Sequence, residues 1–419
     1  MRRIIILAVA LTVLGCSARS GITPSTAPIT PEIYQKHLNK FGWMKTPIPP
    51  IKGRASRPLG IVFDANHHLW TTIGLEVGFP GALAEILMND RVKMFPLTTE
   101  PNYLALGSDH NFWITTSLGI VSRVTPQGVE TDYNIPQSTY RYFDIVSGSD
   151  GALWFTECSV DASTGGIGRI DTSGNYTFYQ SVCPGSLTNG PDGNIWFSDT
   201  GQNVYSMNTQ GQIVATYNVG DPGINLISGS DGALYATAGT PSSTELIRVT
   251  TSGVVTHFGT DSNGDILHQL VSGPDGNLWI LGRAHPGFFL ITFNVASQTF
   301  DMRIPTPPDQ ELLTMASGPD GNIWAGDWDS NSIDTYVRLL MTATPKKLDE
   351  GVGQNANVGI TEQNYAGQWT AVSKNPSIAS VTPNSINGTF TITGVALGTT
   401  FIAIYDSNYN SVEVKVTVQ

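Results

Sequence analysis

Short apolar runs alternate with glycine-rich polar turns along most of the chain, from about residue 57 to residue 340. In most units an Asp-Gly turn precedes an aromatic strand, as in GSDGALWFTE at 148–157. Apolar and polar positions alternate with the period of two that is typical of strands. Seven aromatic anchors mark the units at spacings of 39 to 45 residues: Trp70, Trp113, Trp154, Trp196, Tyr235, Trp279 and Trp324.

Repeats of this length, with about four strands in each, predict an all-β chain in which a seven-bladed β-propeller occupies residues 43–340. A linear β-solenoid is the alternative, although its repeats are usually shorter. The anchor aromatics are expected to pack between blades. Residues 43–49 have the form of an outermost strand, and the seventh unit lacks one. We therefore expect this early segment to complete the seventh blade and close the ring.

The propeller geometry predicts which residues meet on one face, because the inner strand of each blade begins there and the second strand returns to it. The first ring lies eleven residues before each anchor: Leu59, Asn102, Phe143, Gly185, Ile224, His268 and Leu313. The second ring lies three residues after each anchor: Ile73, Thr116, Glu157, Asp199, Ala238, Gly282 and Asp327. Glu311, two residues before Leu313, is expected in a loop on the same face.

The charge balance argues against one class of partner. Only 13% of residues are charged and the net charge is −12. Nucleic-acid binding needs clustered Lys and Arg, and the sequence has no such cluster. We therefore expect a peptide, glycan or protein partner and no nucleic acid.

Residues 1–15 have the form of an export signal, with MRR followed by the apolar run IIILAVALTVLG. That run is too short for a mature membrane-spanning helix. The stretch VLGC, ending at Cys16, resembles the bacterial lipobox, which implies lipidation of Cys16 and an anchor in the cell envelope. Ser17 resembles the default signal for the outer membrane. An ordinary secretory signal with a chance cysteine is the alternative.

Residues 16–42 are predicted to form a tether and a short helix. The tether, residues 17–30, is rich in Ser, Thr and Pro. Thr30 can cap the helix, Pro31 fits its first turn, and Gly42 can end it.

The sequence pattern changes at about Met341. Two motifs, NPSIASV and GVALGTTFI, resemble the bacterial Ig-like domain of group 2, and the matched positions are Ser373, Asn375, Pro376, Ala379, Val381, Gly394, Ala396, Gly398, Thr400 and Ile402. The resemblance implies a small β-sandwich over residues 341–419 that lacks a disulfide. Such domains usually serve as adhesive or spacing modules.

Cys158 and Cys183 are the remaining cysteines. An exported protein can form disulfides, and both residues are expected in loops on the same face of adjacent blades. A bridge between them is possible, and two separate buried thiols are the alternative.

The repeats resemble the streptogramin B lyases, also called virginiamycin B lyases. GSDGALWFTE at 148–157, followed by GGIGRI at 165–170, is similar to the family form of a G-P-D-G-x-I-W-F-T-E run followed by I-G-R-I. The resemblance covers about residues 43–340. It implies a magnesium-assisted elimination that opens a cyclic depsipeptide antibiotic without water.

The site implied by the resemblance carries over only in part. His268 matches the family histidine that begins the inner strand of blade 6. The family has Glu-Pro-His at the start of blade 7, where the glutamate helps hold magnesium and the histidine is the base; here the triplet is Glu311-Leu312-Leu313. Asp327 stands in the place of a second family glutamate. Glu311 and Asp327 are therefore candidate ligands for Mg²⁺ or Ca²⁺.

An elimination requires a group that removes a proton near neutral pH, and leucine cannot do so. The sequence therefore favours an envelope lipoprotein that binds a ligand on this face without the parent lyase activity. The candidate ligand contacts are Glu157, Asp199, His268, Glu311 and Asp327.

Two enzymatic alternatives remain open. The first is a metal-dependent carbon-oxygen lyase that opens a cyclic depsipeptide or lactone, with His268 as its candidate catalytic residue. The second is a hydrolase similar to the sugar lactonases, which would use Asn102, Glu157 and Asp199.

Overall fold

The computed structural model describes residues 43–51, 53–75, 79–87, 91–116, 119–136, 140–159, 164–199, 201–220, 223–240, 243–261, 264–284, 287–307, 310–336, 341–362, 368–405 and 411–419. Within these ranges the chain forms 37 strands and no helix. None of these residues belongs to a helix long and apolar enough to cross a membrane. The export signal, Cys16, the tether and the helix expected before residue 43 all lie outside the described residues.

The first 28 strands form seven four-stranded antiparallel sheets, which we call blades 1 to 7. Blade 1 contains β2 (Arg57–Phe63), β3 (Leu69–Gly74), β4 (Ala82–Ile86) and β5 (Val92–Pro96). Blade 2 contains β6 (Pro101–Leu106), β7 (Phe112–Thr116), β8 (Ile120–Val124) and β9 (Glu130–Asn134). Blade 3 contains β10 (Tyr140–Ser147), β11 (Leu153–Ser159), β12 (Gly165–Ile170) and β13 (Tyr176–Ser181).

Blade 4 contains β14 (Pro184–Asn189), β15 (Ile195–Asp199), β16 (Asn203–Met207) and β17 (Ile213–Asn218). Blade 5 contains β18 (Gly223–Ser228), β19 (Ala233–Thr240), β20 (Ser243–Thr250) and β21 (Val255–His257). Blade 6 contains β22 (Ile266–Ser272), β23 (Leu278–Ala284), β24 (Gly287–Asn294) and β25 (Thr299–Pro305). Blade 7 contains β26 (Leu312–Ser317), β27 (Ile323–Asp327), β28 (Ser332–Tyr336) and β1 (Trp43–Pro47).

The blades form a closed ring. Inner strands of successive blades contact one another in order, and β26 of blade 7 contacts β2 of blade 1. β1 pairs with β28 from Trp43–Tyr336 to Pro47–Ser332, so the first strand of the chain completes the last blade. The predictions of a seven-bladed propeller and of ring closure by residues 43–49 are confirmed. Closure also covers the strand edges that an open solenoid would expose.

The anchor aromatics pack between blades, as the repeat pattern predicted. Trp113 is fully buried against Ile145 and Leu153 of the next blade. Its indole N–H donates to the carboxylate of Asp109 in the preceding turn, at 3.1 Å. The other tryptophan anchors make the same bond to their own turn aspartates. The anchor Tyr235 donates its hydroxyl to Asp231 at 3.2 Å. The recurring Asp-Gly turn is thus part of the scaffold.

The C-terminal segment forms two further sheets. The first contains β29 (Met341–Thr344), β31 (Asn355–Glu362), β35 (Thr389–Gly394) and β33 (Ala379–Val381), in that spatial order. The second contains β30 (Lys347–Glu350), β37 (Ser411–Val418), β36 (Gly398–Tyr405), β32 (Trp369–Ser373) and β34 (Asn384–Ser385).

The two C-terminal sheets share one buried core that includes Val358, Trp369, Phe390 and Ile402. The two sequence motifs meet in the first sheet, where Ala379 pairs with Gly394. The assignment to the group 2 Ig-like domains remains a prediction.

Ring closure should depend on the buried side chain of Trp43, whose ring lies 5.5 Å from that of Tyr336. We expect Trp43→Ala to lower the free energy of unfolding by about 3–5 kcal/mol, the usual cost of removing a large buried aromatic side chain. Urea unfolding followed by far-ultraviolet circular dichroism measures this change. Trp328→Ala, in a half-buried loop position, is the control and should cost clearly less. Equal losses for the two variants would contradict the closure role.

Candidate functional site

Every blade has a β-bulge near the start of its inner strand. In blade 1 the pairing steps from Pro58–Ile73 to Ile61–Thr71, so two residues of β2 lie opposite one residue of β3. The bulges contain the whole first ring predicted from the sequence: Leu59, Asn102, Phe143, Gly185, Ile224, His268 and Leu313. Because bulges often re-aim side chains beside functional sites, we take this end of the propeller, called the bulge face below, as the candidate site.

Hydroxyl groups hold some of these bulges, and the sequence analysis missed them. Ser or Thr occupies the second position after the anchor in blades 1 to 5: Thr72, Thr115, Thr156, Ser198 and Thr237. The N–H of Gly60 donates to Thr72 Oγ1 at 2.9 Å, and the N–H of Ser186 donates to Ser198 Oγ at 3.2 Å. The recurrence of a hydroxyl residue at this position is the signal that could have revealed them.

Some of these hydroxyls also join one blade to the next. Thr72 Oγ1 donates to the carbonyl oxygen of Asn102 at 3.0 Å. Thr237 Oγ1 donates to the carbonyl oxygen of His268 at 2.6 Å, and Asn225 Nδ2 donates to the same oxygen at 2.9 Å. The backbone at His268 is therefore fixed by two side chains of blade 5.

A second feature missed from the sequence is a run of polar residues one position after the first ring. We call it the polar arc, and it spans blades 2 to 6: Tyr103, Asp144, Ser186, Asn225 and Gln269. Ser186 Oγ donates to Asp144 Oδ2 at 3.3 Å and accepts the N–H of Leu226 at 3.1 Å. Together with the bond from Asn225 to the His268 carbonyl, these contacts connect the bulges of blades 3 to 6.

His268 is half-buried in the bulge of blade 6. Its Nε2 is buried and has no hydrogen-bond partner among the described residues, and the same is true of Gln269 Oε1. Burial, followed by the positive charge of Arg283, lowers the pKa of the His268 imidazole. His268 is therefore mainly neutral at neutral pH, with a ring nitrogen that a ligand could use.

The predicted residues of blade 7 lie close together but in different environments. Leu313 is 45% exposed, whereas Asp327 is fully buried. Asp327 Oδ1 accepts the N–H groups of Glu311 and Ser330, both at 3.2 Å. Asp327 thus fixes the backbone of the loops around Leu313. Asp327 therefore contacts the backbone N–H of Glu311 and not its carboxylate.

The sequence matches the model of the virginiamycin B lyase family over residues 47–325. The chain belongs to the virginiamycin B lyase family. No curated protein sequence is significantly similar to it.

Solved structures show the same fold at low sequence identity. A streptogramin B lyase is 18% identical with a TM-score of 0.60, and the match covers 70% of this chain and 96% of that one. A catalytically inactive virginiamycin B lyase from Staphylococcus aureus, solved with quinupristin, is 19% identical with a TM-score of 0.59 over 70% and 98%. YCF48, solved with a bound peptide, is 16% identical with a TM-score of 0.54 over 72% and 97%.

The residues of blade 7 fit a divalent cation poorly. Lys45 Nζ lies 3.8 Å from Asp327 Oδ2, and its positive charge opposes a second cation at that oxygen. Asp327 Oδ1 is already occupied by two N–H donors. In the part of the chain that the structure describes, no three His, Cys, Asp or Glu side chains form a group suited to metal binding. The role of Glu311 and Asp327 as Mg²⁺ or Ca²⁺ ligands therefore remains a prediction that this arrangement does not favour.

The other two carboxylates that were expected to contact a ligand, Glu157 and Asp199, are covered by the protein. Glu157 is fully buried and Asp199 is 7% exposed. Asp199 accepts hydrogen bonds from the backbone N–H groups of Gly201 and Asn203 and from the Tyr205 hydroxyl, so it stabilises its own hairpin. Neither residue offers an accessible carboxylate in this conformation, and their role in ligand binding remains a prediction.

Glu157 and Asp199 are buried because of where the inner strand of each blade begins. It begins before the bulge, so residues of the second ring pair with it and are covered: Glu157 pairs with Tyr142, and Asp199 pairs with Pro184. The sequence pattern predicts both rings on one face, and pairing with the inner strand covers these two members of the second ring.

Glu157 is a buried acid that forms no ion pair with any side chain the structure describes. Its Oε1 accepts the Tyr176 hydroxyl at 2.7 Å, while Oε2 is buried and has no partner among the described residues. Burial raises the pKa of Glu157 to about 7, although the bond from Tyr176 acts in the opposite direction.

Cys158 and Cys183 are joined by a disulfide. Cys158 lies in β11 of blade 3, and Cys183 directly precedes β14 of blade 4. The bond therefore links two adjacent blades next to the bulge of blade 4. Both cysteines are buried.

The raised pKa of Glu157 predicts a pH-dependent cost to stability. The folded state holds the proton of Glu157 more tightly than the unfolded state does, so protonation of Glu157 stabilises the folded state. This stabilisation is complete below about pH 4.5 and is lost as the pH rises through about 7. Glu157→Gln mimics the protonated acid and should avoid this loss. The variant should match the wild type at pH 4.5 and exceed it by up to about 3 kcal/mol above pH 8.

Urea unfolding at a series of pH values measures this difference. The wild type at the same pH values is the reference. A constant difference between the two proteins across the series would show that Glu157 does not titrate in this way.

Proposed function

We propose that this protein is an envelope-anchored lipoprotein whose propeller binds a peptide, glycan or protein ligand on the bulge face, without the lyase activity of its family. The observation that carries the proposal is Leu313, a 45% exposed leucine in blade 7. It stands where the family resemblance implies the catalytic base. A leucine can contact a ligand but cannot accept its proton.

The surroundings of Leu313 support binding. The polar arc supplies donors and acceptors over blades 2 to 6, and His268 and Gln269 each have a buried polar atom without a described partner. Buried polar atoms are nearly always hydrogen-bonded to protein or to ordered water, and a ligand can supply such a bond here. The peptide bound to YCF48 is consistent with peptide binding by a propeller of this fold.

A metal-dependent lyase that opens a cyclic depsipeptide or lactone is the second candidate. One observation favours it: the lowered pKa of His268 leaves a neutral imidazole that can accept a proton near pH 7. The leucine at position 313 and the lysine beside Asp327 count against it.

Quinupristin, the compound present in the related lyase structure, separates the two candidates. We expect the full chain with Mg²⁺ to leave quinupristin intact, as measured by mass spectrometry. Leu313→His, which restores a base, should give measurable linear product, and Leu313→Asn is the matched control without a base. Mg²⁺-dependent linearisation by the wild type would overturn the proposed loss of activity.

Ligand binding is tested by screening the immobilised full chain against a linear heptapeptide library, a glycan array and quinupristin. We expect the chain to retain a member of one of these classes or a protein partner. The retained ligand should bind at least tenfold more weakly to Ser186→Ala or Gln269→Ala. Ser108→Ala, in a turn on the opposite face, is the control. Retention that none of the bulge-face substitutions weakens would place the ligand elsewhere.

The anchoring part of the proposal rests on the lipobox-like stretch that ends at Cys16. We expect the wild type expressed in a bacterium to incorporate labelled palmitate and to sediment with the membrane. Cys16→Ser should abolish both, because the thiol is the attachment point. Ser17→Ala should leave the labelling intact. Unchanged labelling of the Cys16 variant would show that the leader is an ordinary secretory signal.

A further inference from the structure

We propose that Asp144 and Tyr103 form a subsite on the bulge face that binds an organic ammonium group of the ligand. This inference rests on the proposed function and names a chemical feature of the ligand. Asp144 belongs to the bulge of blade 3 and Tyr103 to the bulge of blade 2. Asp144 is the only acidic residue of the polar arc.

The carboxylate of Asp144 is fixed in place by neutral groups. The N–H of Ile145 donates to Oδ1 at 2.9 Å. The N–H of Leu187 and the hydroxyl of Ser186 donate to Oδ2 at 3.2 and 3.3 Å. A carboxylate offers about four lone-pair sites, so one further donor can be accepted without breaking these bonds.

The negative charge of Asp144 is not neutralised within the described chain. Among the side chains that the structure describes, no Lys, Arg or His forms an ion pair with it. Burial raises the pKa of Asp144 to about 6, so the group is still largely ionised at pH 7.5. A half-buried charge without a partner attracts a cation more strongly than an exposed one does.

Tyr103 supplies an aromatic surface in the adjacent blade, whose inner strand β6 contacts β10, the strand of Asp144. Its side chain is 43% exposed. Burial of the hydroxyl and the negative charge of Asp144 raise the pKa of Tyr103, in keeping with the closeness of the two groups. The face of an aromatic ring attracts ammonium groups, and a neighbouring carboxylate adds to that attraction.

Apolar and positively charged side chains lie elsewhere on the bulge face. Leu59 and Leu313 lie in the bulges of blades 1 and 7. Arg57 stacks over the ring of Trp328, 4.4 Å from its centroid, and Arg283 lies near His268. Among the described side chains of this face, Arg57 and Arg283 place positive charge at blades 1 and 6, away from Tyr103 and Asp144.

Benzylamine and benzyl alcohol are the probes for this subsite, since they differ mainly in the ammonium group. Saturation-transfer NMR on the full chain at pH 7.5 measures both dissociation constants. We expect benzylamine to bind at least tenfold more tightly than benzyl alcohol. Asp144→Asn should remove this preference, while Asp329→Asn, an exposed carboxylate in a bulge-face loop, should preserve it.

The pH dependence gives an independent measurement. At pH 5 the affinity of the wild type for benzylamine should fall about tenfold, because protonation removes the charge of Asp144, whose pKa is about 6. The residual affinity of Asp144→Asn should not change with pH. If that variant does not fold, Tyr103→Leu at the exposed neighbouring position replaces it and should weaken benzylamine binding at least threefold.

Equal affinities for the two probes, or tight benzylamine binding by a folded Asp144→Asn variant, would overturn the subsite. These results leave the proposed function standing if a retained peptide or glycan still depends on Ser186 or Gln269. Conversely, Asp144-dependent benzylamine binding without any retained macromolecular ligand supports the subsite and counts against the proposed function.

Discussion

The packing of one aromatic side chain between each pair of blades is the contact on which the ring depends. The indole N–H of an anchor such as Trp154 is bound by the aspartate of its own turn, and the ring is fully buried against the next blade. One side chain therefore links a turn, a strand and a neighbouring sheet. The turn glycine is part of the same arrangement, because a Cβ atom on Gly148 would lie 2.5 Å from the Trp154 ring.

The bulges give this repetitive scaffold a variable face. Their shape is maintained by backbone pairing and by hydroxyls such as Thr72 and Ser198, so the bulged side chains themselves are not needed to hold it. Leucine, histidine and asparagine can therefore occupy equivalent positions in different blades, as Leu313, His268 and Asn102 do. The residue at such a position can therefore change without loss of the fold.

The sequence was sufficient to predict the propeller, because each repeat carries its own turn, anchor and alternating strands. It was also sufficient to predict the closing strand, since the seventh unit lacks a partner that residues 43–49 can supply. It was insufficient for the site. A bulge adds a residue that the two-residue period of a strand does not reveal, so the polar arc, one position after the first ring, was missed. Glu157 and Asp199 were expected to contact a ligand, although the inner strand covers them.

The closing strand also determines how the ring would respond to force. Trp43 lies opposite Tyr336, so the chain enters and leaves the propeller at the same point. Tension between the segment before Trp43 and the segment after Tyr336 would separate β1 from β28 one residue pair at a time. Strands loaded in this unzipping direction part at lower force than strands loaded in shear. The rings of Trp43 and Tyr336, which are in contact, lie at the pair that would open first.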